Sequence, residues 1–331
     1  MSAATGRRPD GGGVGHLLGI DGMERSDVEE ILDLTDTFAE IGRRPIPKVP
    51  ALRGRTVATV FFEGSTRTRM SFEAAARRLS ADTVSFSAGT SSLSKGESIR
   101  DTVEVVASYG ADLLVVRHSM AGTAHRVAGW TDLSVVNAGD GCHEHPTQAL
   151  LDCYTVRERR GSLDGMRIAI VGDIRNSRVA RSNVLAFTAL GAEVVLVAPA
   201  TLLPPSILGW PVTIAHELDP ILGDIDALYL LRIQSERITE GLIPSLREYA
   251  SDFCLTASRV ARMRSDALVL HPGPTNRGVE ISAEAASDHR SVILDQVVNG
   301  VSVRMAVLFL LLGSGRQLGA VDAGDSVEGD R

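Results

Sequence analysis

A dense group of hydroxyl and guanidinium side chains lies between Phe62 and Arg69, where the sequence is Phe-Glu-Gly-Ser-Thr-Arg-Thr-Arg. A predicted strand precedes this segment, and a helix with one apolar face follows it. The amino end of a helix attracts anions through its dipole and its unpaired N–H groups, and such side chains add charge-assisted hydrogen bonds. The alternative, a capped helix with solvated arginines, fits a single arginine better than a cluster rich in hydroxyls. We therefore interpret the segment as a phosphate site formed by Ser65, Thr66, Arg67 and Thr68.

Two further polar segments follow predicted strands in the first half of the chain. Arg117 ends a strand at 113–116, and His145-Pro146-Thr147-Gln148 follows a strand at 134–137 after a Gly-Asp-Gly turn. Open parallel sheets bind ligands at the carboxyl ends of their strands. His145 and Gln148, one helical turn apart, can both point at a carbonyl oxygen, and Arg117 can stabilise negative charge that develops there. A single histidine is more often structural, so this interpretation depends on the neighbouring residues.

The second half of the chain contains a strand, predicted at 167–171, that continues into Gly172 and then Arg178 before a helix. This arrangement is similar to that of a dinucleotide-binding fold, but the Gly-x-Gly-x-x-Gly fingerprint is absent. An arginine where a pyrophosphate would approach indicates a carboxylate or phosphate ligand instead.

Arg232 and Gln234 close another predicted strand, and His271-Pro272-Gly273-Pro274 closes the last one. Arg178 and Arg232 on one side of a cleft would suit a dicarboxylate, because each guanidinium can bind one carboxylate through two hydrogen bonds. Structural ion pairs with Glu236 or Glu240 are the alternative for either arginine, and the sequence alone leaves both interpretations open.

A zinc site formed by Cys142, His143, Glu144 and His145 is also conceivable, because Cys and His are ordinary zinc ligands. Four consecutive residues cannot all face one ion, and no second ligand pair with matching spacing follows. We predict no metal and no other cofactor, and we interpret Cys142 as a small residue in a tight turn.

The composition is typical of a globular protein with two domains. The chain has 331 residues, of which 44% are apolar and 23% charged, and this length exceeds the usual size of one core. A net charge of -7 without a basic stripe argues against nucleic-acid binding. Three cysteines without a CxxC pair, and no secretory signal, favour a reducing cytoplasm. The longest apolar run, at 305–312, is too short to span a bilayer and predicts a buried helix.

Strands and helices alternate along the chain in two series. The first series has strands at 56–62, 83–87 and 112–116 and helices at 66–79 and 98–109. The second has strands at 167–171, 193–198, 227–231 and 268–271 and a helix at 179–190. Such alternation predicts parallel sheets with helices on both faces.

Two more helices complete the predicted order. A capping box at Ser26 and Glu29 predicts a first helix, and a helix at 146–159 that begins with proline separates the two series. The predicted fold is α/β, with two doubly wound parallel-sheet domains joined by interdomain helices and a ligand cleft between them. The predicted segments are a disordered tail at 1–14, domains at 15–147 and 148–295, a helix at 296–312 that packs back on the first domain, and a disordered tail at 313–331.

These motifs resemble those of the aspartate/ornithine transcarbamoylase family over the chain from about His16 to Leu312. The segment 62–69 is similar to the family's carbamoyl-phosphate signature, 145–148 to its HPTQ segment, and Arg232-Ile233-Gln234 to its aspartate-binding R-x-Q. The resemblance implies transfer of the carbamoyl group of carbamoyl phosphate to the amino group of L-aspartate. The products would be N-carbamoyl-L-aspartate and phosphate, in the committed step of de novo pyrimidine (UMP) biosynthesis.

The resemblance also implies roles for individual residues. Carbamoyl phosphate would be bound at its phosphate by Ser65, Thr66, Arg67 and Thr68, at its carbonyl by Thr66, Arg117 and His145, and at its nitrogen by Gln148. Aspartate would be bound by Arg178, Arg232, Gln234 and the backbone around Gly273 and Pro274. The implied catalytic residues are Arg117, His145, Thr66 and Lys95.

The segment 91–97 is similar to the family's mobile loop, which lends a serine, Ser91 by position, and Lys95 to the site of a neighbouring subunit. Both substrates would contact Lys95. The implied assembly is a homotrimer with shared active sites, bound to neither nucleic acid nor membrane. A higher assembly with regulatory chains or a dihydroorotase remains open.

Two alternatives to this function come from different classes of protein. One is a paralogous transcarbamoylase with another amino-acid acceptor, and the other is a nonenzymatic dicarboxylate or phosphate sensor. An ornithine-specific enzyme would be expected to carry HPCQ and HCLP where this chain has HPTQ and 271–274. Gly64, Val179 and Thr275 depart from the residues common in the family, but none of these changes removes a charged group.

Overall fold

The computed structural model describes residues 15–87, 98–207, 209–233 and 241–313. The predicted tails lie outside these residues, apart from Gly313, and so do Gln234 and the segment 91–97 with Ser91 and Lys95. The predicted disorder of the tails and the predicted loop therefore stay predictions.

Two five-stranded parallel sheets form the framework of the molecule. The first contains β1 (His16–Leu17), β2 (Thr56–Phe61), β3 (Asp82–Ser87), β4 (Leu113–His118) and β5 (Ser134–Asp140), in the order β1-β5-β4-β2-β3. The second contains β6 (Arg167–Val171), β7 (Glu193–Val197), β8 (Val212–Ala215), β9 (Ala227–Leu230) and β10 (Leu268–Leu270), in the order β10-β9-β6-β7-β8. The predicted class, two doubly wound parallel-sheet domains, is confirmed.

Helices cover the sheets and connect them. They are α1 (Arg25–Gly42), α2 (Thr66–Arg78), α3 (Ile99–Ser108), α4 (Thr123–Ala128), α5 (Pro146–Arg160), α6 (Arg178–Ala189), α7 (Leu246–Phe253), α8 (Ala257–Val260), α9 (Ala283–Ala286) and α10 (Ile293–Leu312). The sequence prediction did not include β1, β8, α4 or α7 to α9. These elements are short, and the side chains of β8 are half-buried or exposed to solvent, so none of the elements produces a long apolar pattern.

The start of α1 differs from the prediction. Glu24 is the N-cap, and the Asp27 carboxylate accepts a hydrogen bond from the Glu24 N–H at 2.9 Å. The capping box predicted at Ser26 and Glu29 was wrong, because both residues lie inside the helix, whose first turn is closed by the earlier pair.

Each sheet reverses its strand order beside one central strand. In the first sheet β2 lies between β3 and β4, and in the second β6 lies between β7 and β9. Open α/β sheets bind ligands at such points, outside the carboxyl ends of the strands. The predicted phosphate segment follows β2 and Arg117 is the penultimate residue of β4, while Arg178 follows β6 and Arg232 follows β9. Both halves of the predicted site therefore lie where the topology favours a ligand.

Two long helices hold the sheets together. All residues of α5 from Pro146 to Val156 are buried, because the helix is covered by neighbouring elements on every side. α10 packs on α1, α2 and α5 and begins at Ile293, three residues before the predicted start. Both helices pass close to the cleft, so their polar residues can act there.

Among the described residues, α10 is the helix that is long and apolar enough to cross a membrane by length and composition. The core helix of a protein can pass the same test, and 56% of its apolar window is buried inside the molecule. Its polar residues Gln296, Asn299 and Arg304 hydrogen-bond to Asp152, Glu158 and Ser71. We interpret α10 as a core helix, as the sequence predicted.

Candidate active site

A cleft of about 610 Å³ lies between the two sheets. Every predicted site residue that the structure describes lines it: Ser65, Thr66, Arg67, Thr68, Arg117, His145, Gln148, Arg178, Arg232, Gly273 and Pro274. The predicted residues Ser91, Lys95 and Gln234 lie outside the described part of the chain. Four of these predicted residues carry guanidinium groups, so the cleft is suited to anions.

The amino end of α2 opens into this cleft. Its N-cap, Ser65, has an extended backbone, and its side chain makes no capping hydrogen bond, whereas the N-cap serines of α3, α6 and α7 each accept one from the helix backbone. The first turn of α2 also lacks an acidic residue that would offset the helix dipole. The Ser65 hydroxyl and the first N–H groups of the helix can therefore bind an anion in the cleft.

A carboxylate from the first domain bridges two of the arginines. Glu63 accepts hydrogen bonds from Arg117 Nη2 at 3.1 Å and from Arg178 Nη2, which lies 2.8 Å from each of its oxygens. The pair between Glu63 and Arg178 joins the loop after β2 to the start of α6, the helix that follows β6 of the second sheet. Glu236 and Glu240 were the structural partners predicted for the arginines, and these two residues lie outside the described part of the chain. A carboxylate ligand in the cleft would contact the same guanidinium groups that donate hydrogen bonds to Glu63.

Gly139, near the end of β5, provides the surface on which the same two arginines lie. A Cβ atom at this position would stand 2.8 Å from Arg178 Nη1 and 2.9 Å from Arg117 Nη1, and the φ of Gly139 is +116°. Only glycine adopts this backbone conformation readily and leaves room for both groups. Arg117 Nη1 also donates to the Ala138 carbonyl at 2.9 Å, which fixes its guanidinium.

His145 is the N-cap of α5 and is held through its backbone. Its N–H donates to Ser182 Oγ at 2.9 Å, and that hydroxyl donates to the buried Glu144 carboxylate at 3.0 Å. Burial, followed by the positive charges of Arg117, Arg304 and Arg178, holds the pKa of His145 well below its ordinary value. The ring is therefore neutral near pH 7, and a neutral imidazole can donate one ring N–H to a ligand.

Arg304 on α10 is a cleft residue that the sequence analysis did not include in the site. Its Nη1 donates to Ser71 Oγ and to the Gly300 carbonyl, both at 2.9 Å, and its guanidinium lies 5.1 Å from the centre of the Phe72 ring. Burial lowers the pKa of Arg304 to about 10, so the group stays charged at neutral pH. An arginine inside a strongly apolar helix was the signal that could have identified it.

The second domain contributes a loop that touches the phosphate side. A Cβ atom on Gly273, whose φ is +62°, would lie 3.3 Å from Arg67 Cζ, and the peptide between Gly273 and Pro274 is cis. Burial and then the charge of Arg232 lower the pKa of Arg67. The guanidinium groups of the two domains thus act on one another electrostatically across the cleft, an arrangement that an anionic ligand would stabilise.

Models of two protein domains match almost the whole chain. Aspartate/ornithine carbamoyltransferase, carbamoyl-P binding domain, matches residues 15–158, and the Asp/Orn binding domain of the same enzymes matches residues 164–311. The chain belongs to the aspartate/ornithine carbamoyltransferase family. Two similar members are the aspartate carbamoyltransferase catalytic subunits of Thermobifida fusca (56% identity, 90% of this chain and 95% of that protein) and Acidothermus cellulolyticus (56%, 91% and 93%).

Solved structures of this family have the same fold. Aspartate transcarbamoylase from Trypanosoma cruzi, solved in complex with carbamoyl phosphate and aspartate, is 31% identical with a TM-score of 0.81, covering 89% of this chain and 96% of that chain. The catalytic subunit of M. jannaschii aspartate transcarbamoylase is 34% identical with a TM-score of 0.79, covering 90% and 98%. Near-complete coverage of these chains means that both halves of the cleft belong to the shared fold.

The histidine that closes β10 allows a prediction about stability in this family member. Burial, with the charges of Arg67 and Arg232, lowers the pKa of His271 from an ordinary value of 6.5 to about 3. Below pH 6.5 the unfolded chain therefore binds a proton that the folded chain does not, and the free energy of unfolding falls. His271→Asn keeps an acceptor for the Gly273 N–H but removes this titration. From pH 7.5 to 5.5 the variant should lose roughly 1 kcal/mol less stability than the unmodified protein.

Urea unfolding at both pH values measures this difference. His289→Asn is the matched control, because the His289 side chain is 77% exposed. If the free energy of unfolding falls equally in the unmodified protein and in His271→Asn, His271 takes up its proton in the folded protein as readily as in the unfolded chain.

Proposed function

We propose that this chain transfers the carbamoyl group of carbamoyl phosphate to the amino group of L-aspartate. The observation that carries the proposal is the meeting of two cationic sites, one from each sheet, in a single cleft. One site combines a helix amino end with hydroxyls and Arg67, which suits a phosphate, and the other contains Arg178 and Arg232, which suit two carboxylates. The names of the similar catalytic subunits, and the ligands of the Trypanosoma cruzi enzyme, support the same reaction.

The proposed roles follow the geometry of the cleft. Ser65, Thr66, Arg67 and Thr68 bind the phosphate of carbamoyl phosphate at the start of α2. Arg117, His145 and Thr66 donate to the carbonyl oxygen, and Gln148 accepts from the carbamoyl nitrogen. Arg178 and Arg232 bind the aspartate carboxylates, with the backbone around Gly273 and Pro274 as a further contact. Gln234, Ser91 and Lys95 complete the proposed site from segments outside the described residues.

The reaction is a direct transfer between the two bound substrates. The neutral amine of aspartate attacks the carbamoyl carbon, and the carbonyl oxygen gains negative charge in a tetrahedral species. The bond from carbon to the phosphate oxygen then breaks, and the departing phosphate accepts the proton that the amine loses. This scheme requires no covalent bond to the protein. The protein contributes the positioning of two anions that repel each other in water, together with donors aimed at the developing oxyanion.

The test of this function compares acceptors. Carbamoyl-phosphate-dependent release of phosphate should be rapid with L-aspartate and close to the background rate with L-ornithine, with N-carbamoyl-L-aspartate as the product. Faster release with L-ornithine would identify the paralogous alternative. Binding of both anions without any phosphate release would identify a sensor and would contradict the proposed enzyme.

Arg232→Ala should weaken the binding of aspartate far more than the binding of carbamoyl phosphate. The substitution removes a guanidinium for one carboxylate of the acceptor and leaves the phosphate site after β2 intact. The KM for aspartate should rise at least about tenfold, while the KM for carbamoyl phosphate changes less than about threefold.

Arg262→Ala is the matched control for this experiment. Arg262 belongs to the same domain, but its side chain is 53% exposed and pairs with Asp219 away from the cleft. Equal weakening of both substrates by Arg232→Ala would show that the end of β9 is not the acceptor site.

We further propose a homotrimer in the cytoplasm whose sites are shared between subunits. The resemblance of 91–97 to the family's mobile loop supports shared sites, because Ser91 and Lys95 would then reach a neighbouring cleft. None of the described residues of β3 or α3, the elements that flank this segment, lines the cleft of their own chain. The three free cysteines are consistent with a reducing compartment.

A further inference from the structure

Asp152 is a fully buried carboxylate on α5, one helical turn beyond Gln148. Its Oδ1 accepts hydrogen bonds from Gln148 Nε2 at 2.9 Å and from Gln296 Nε2 at 2.7 Å. Its Oδ2 accepts from Asn183 Nδ2 at 3.0 Å and from Tyr229 Oη at 2.7 Å. Each oxygen of the carboxylate thus has two donors, and these come from four different elements of the structure.

The carboxylate determines which way the amide of Gln148 points. A glutamine amide has a donating nitrogen on one side and an accepting oxygen on the other, and the two are nearly equal in shape. An ionised carboxylate only accepts hydrogen bonds, so the side of the amide that faces Asp152 must be its nitrogen. The oxygen of Gln148 is then directed away from Asp152, and Gln148 lines the cleft. The cleft therefore receives an acceptor at this position.

A second amide is oriented by the same oxygen of Asp152. Gln296 donates through Nε2 to Asp152, and its Oε1 accepts from the backbone N–H of His271 at 3.0 Å. His271 Nδ1 in turn accepts from the N–H of Gly273 at 2.8 Å. The loop that carries Gly273 on the acceptor side of the cleft is thereby connected to the residue that holds Gln148.

We propose that Asp152 is a positioning residue for carbamoyl transfer, which holds Gln148 so that its side-chain oxygen receives the carbamoyl NH2 group. The inference rests on the proposed function, because the ligand of Gln148 is the carbamoyl nitrogen of that reaction. Asp152 itself does not line the cleft and touches no substrate.

The cost of burying this group supports a functional reason for it. Burial raises the pKa of Asp152 to about 6 in spite of its four donors. A buried carboxylate is costly unless it is paired and hydrogen-bonded, and the four donors to Asp152 are uncharged side chains, not a cation. A carboxylate at this position is better explained by the orientation it imposes on its neighbours than by the packing it provides.

The test compares two ligands that differ in the carbamoyl NH2 group. Phosphonoacetamide, a stable analogue of carbamoyl phosphate, presents both a phosphonate and an amide NH2, whereas inorganic phosphate presents only the anion. Asp152→Ala frees the amide of Gln148 to rotate, so the Kd for phosphonoacetamide should rise about tenfold, the effect of losing one hydrogen bond. The Kd for inorganic phosphate, bound at the start of α2, should change less than about twofold. If Asp152→Ala does not fold, Asp152→Ser gives the same comparison with a polar atom left in the buried site.

Two further variants separate positioning from general stability. Tyr229→Phe removes a donor from the other oxygen of the same carboxylate and should destabilise the protein without changing either Kd. Asp152→Asn should restore the affinity for phosphonoacetamide. Its Oδ1 can still accept from both glutamines if the amide of Asn183, whose Oδ1 has no hydrogen-bond partner among the described residues, turns over to accept from the new Nδ2. In the opposite orientation the new Nδ2 would face Gln296, whose amide would then have to rotate to present its oxygen. That rotation would place the Gln296 nitrogen against the N–H of His271, so the first orientation is favoured.

A double variant completes the experiment. In a Gln148→Ala background, Asp152→Ala should cause no further loss of phosphonoacetamide affinity, because the group through which it acts is already absent. Equal weakening of both ligands by the Asp152 variants, or a selective loss caused by Tyr229→Phe, would overturn the proposal. An unmodified protein that binds phosphonoacetamide but makes no N-carbamoyl-L-aspartate would refute the proposed function instead, and the same titrations would still decide the role of Asp152.

Discussion

We expect Arg117→Ala to lower kcat by at least about a hundredfold, the scale for the loss of one oxyanion donor. Its guanidinium is fixed before any substrate binds, because Nη1 donates to the Ala138 carbonyl and packs over Gly139. A donor that is already in place stabilises the charge developing on the carbonyl oxygen without reorganisation at that moment. The KM for aspartate should change much less than kcat, since Arg178 and Arg232 remain.

Steady-state kinetics with both substrates varied would measure this effect. Arg55→Ala is the matched control, because Arg55 precedes β2 at the opposite end of the same sheet and pairs with Asp112. A large loss of aspartate affinity with kcat preserved would place Arg117 in the acceptor site and would contradict its role at the carbonyl.

The sequence was sufficient to predict the sheets and the segments that form the cleft. The central parts of strands such as β2, β4 and β6 are buried and mostly apolar, so the polar residues near their carboxyl ends mark where each apolar run stops. Arg117 is one of the last two residues of β4, and the segment from Ser65 to Thr68 and Arg178 lie in the stretches that follow β2 and β6. In a doubly wound parallel sheet the ends of such strands are the ligand site, so a correct prediction of the strands also located the cleft.

The contacts between the domains could not be predicted in the same way. Glu63 stands inside the segment that the sequence analysis selected, yet its pairing with Arg178 joins residues 115 positions apart. Asp152 and Gln296 are 144 positions apart, and nothing local marks them as partners. Such pairs are set by the packing of α5, α6 and α10 between the sheets, which has no signature in a short window of sequence.

Local preferences also failed where two patterns competed. Ser26 and Glu29 match a capping box, but Glu24 and Asp27 form the one that is used, two residues earlier. The three positions that depart from the residues common in the family, Gly64, Val179 and Thr275, all line the cleft. The sequence did not show that these three positions share one surface. Phosphate release with L-aspartate and with L-ornithine tests whether they alter the choice of acceptor.

Chains with Lys95→Ala and chains with Arg178→Ala should each be nearly inactive alone and should regain activity when they are mixed. In the proposed trimer each site takes Arg178 from one chain and Lys95 from its neighbour, so either homotrimer lacks one cation at every site. In a cyclic trimer that contains both kinds of chain, one site receives an intact Arg178 and an intact Lys95. An equal, random mixture should therefore recover about a quarter of the unmodified activity, since about three quarters of its trimers are mixed and each has one complete site in three.

A second mixture is the matched control, because it combines two defects that the structure places in one chain. Arg117 and Arg178 line the same cleft and bind the same Glu63 carboxylate. Chains with Arg117→Ala and chains with Arg178→Ala should stay inactive when mixed, since every site takes both arginines from a single chain and lacks one of them. Subunit exchange must be demonstrated in both mixtures, for example by fluorescence transfer between labelled chains. If exchange occurs and the Lys95 mixture stays as inactive as its parents, Lys95 serves the cleft of its own chain and the sites are not shared.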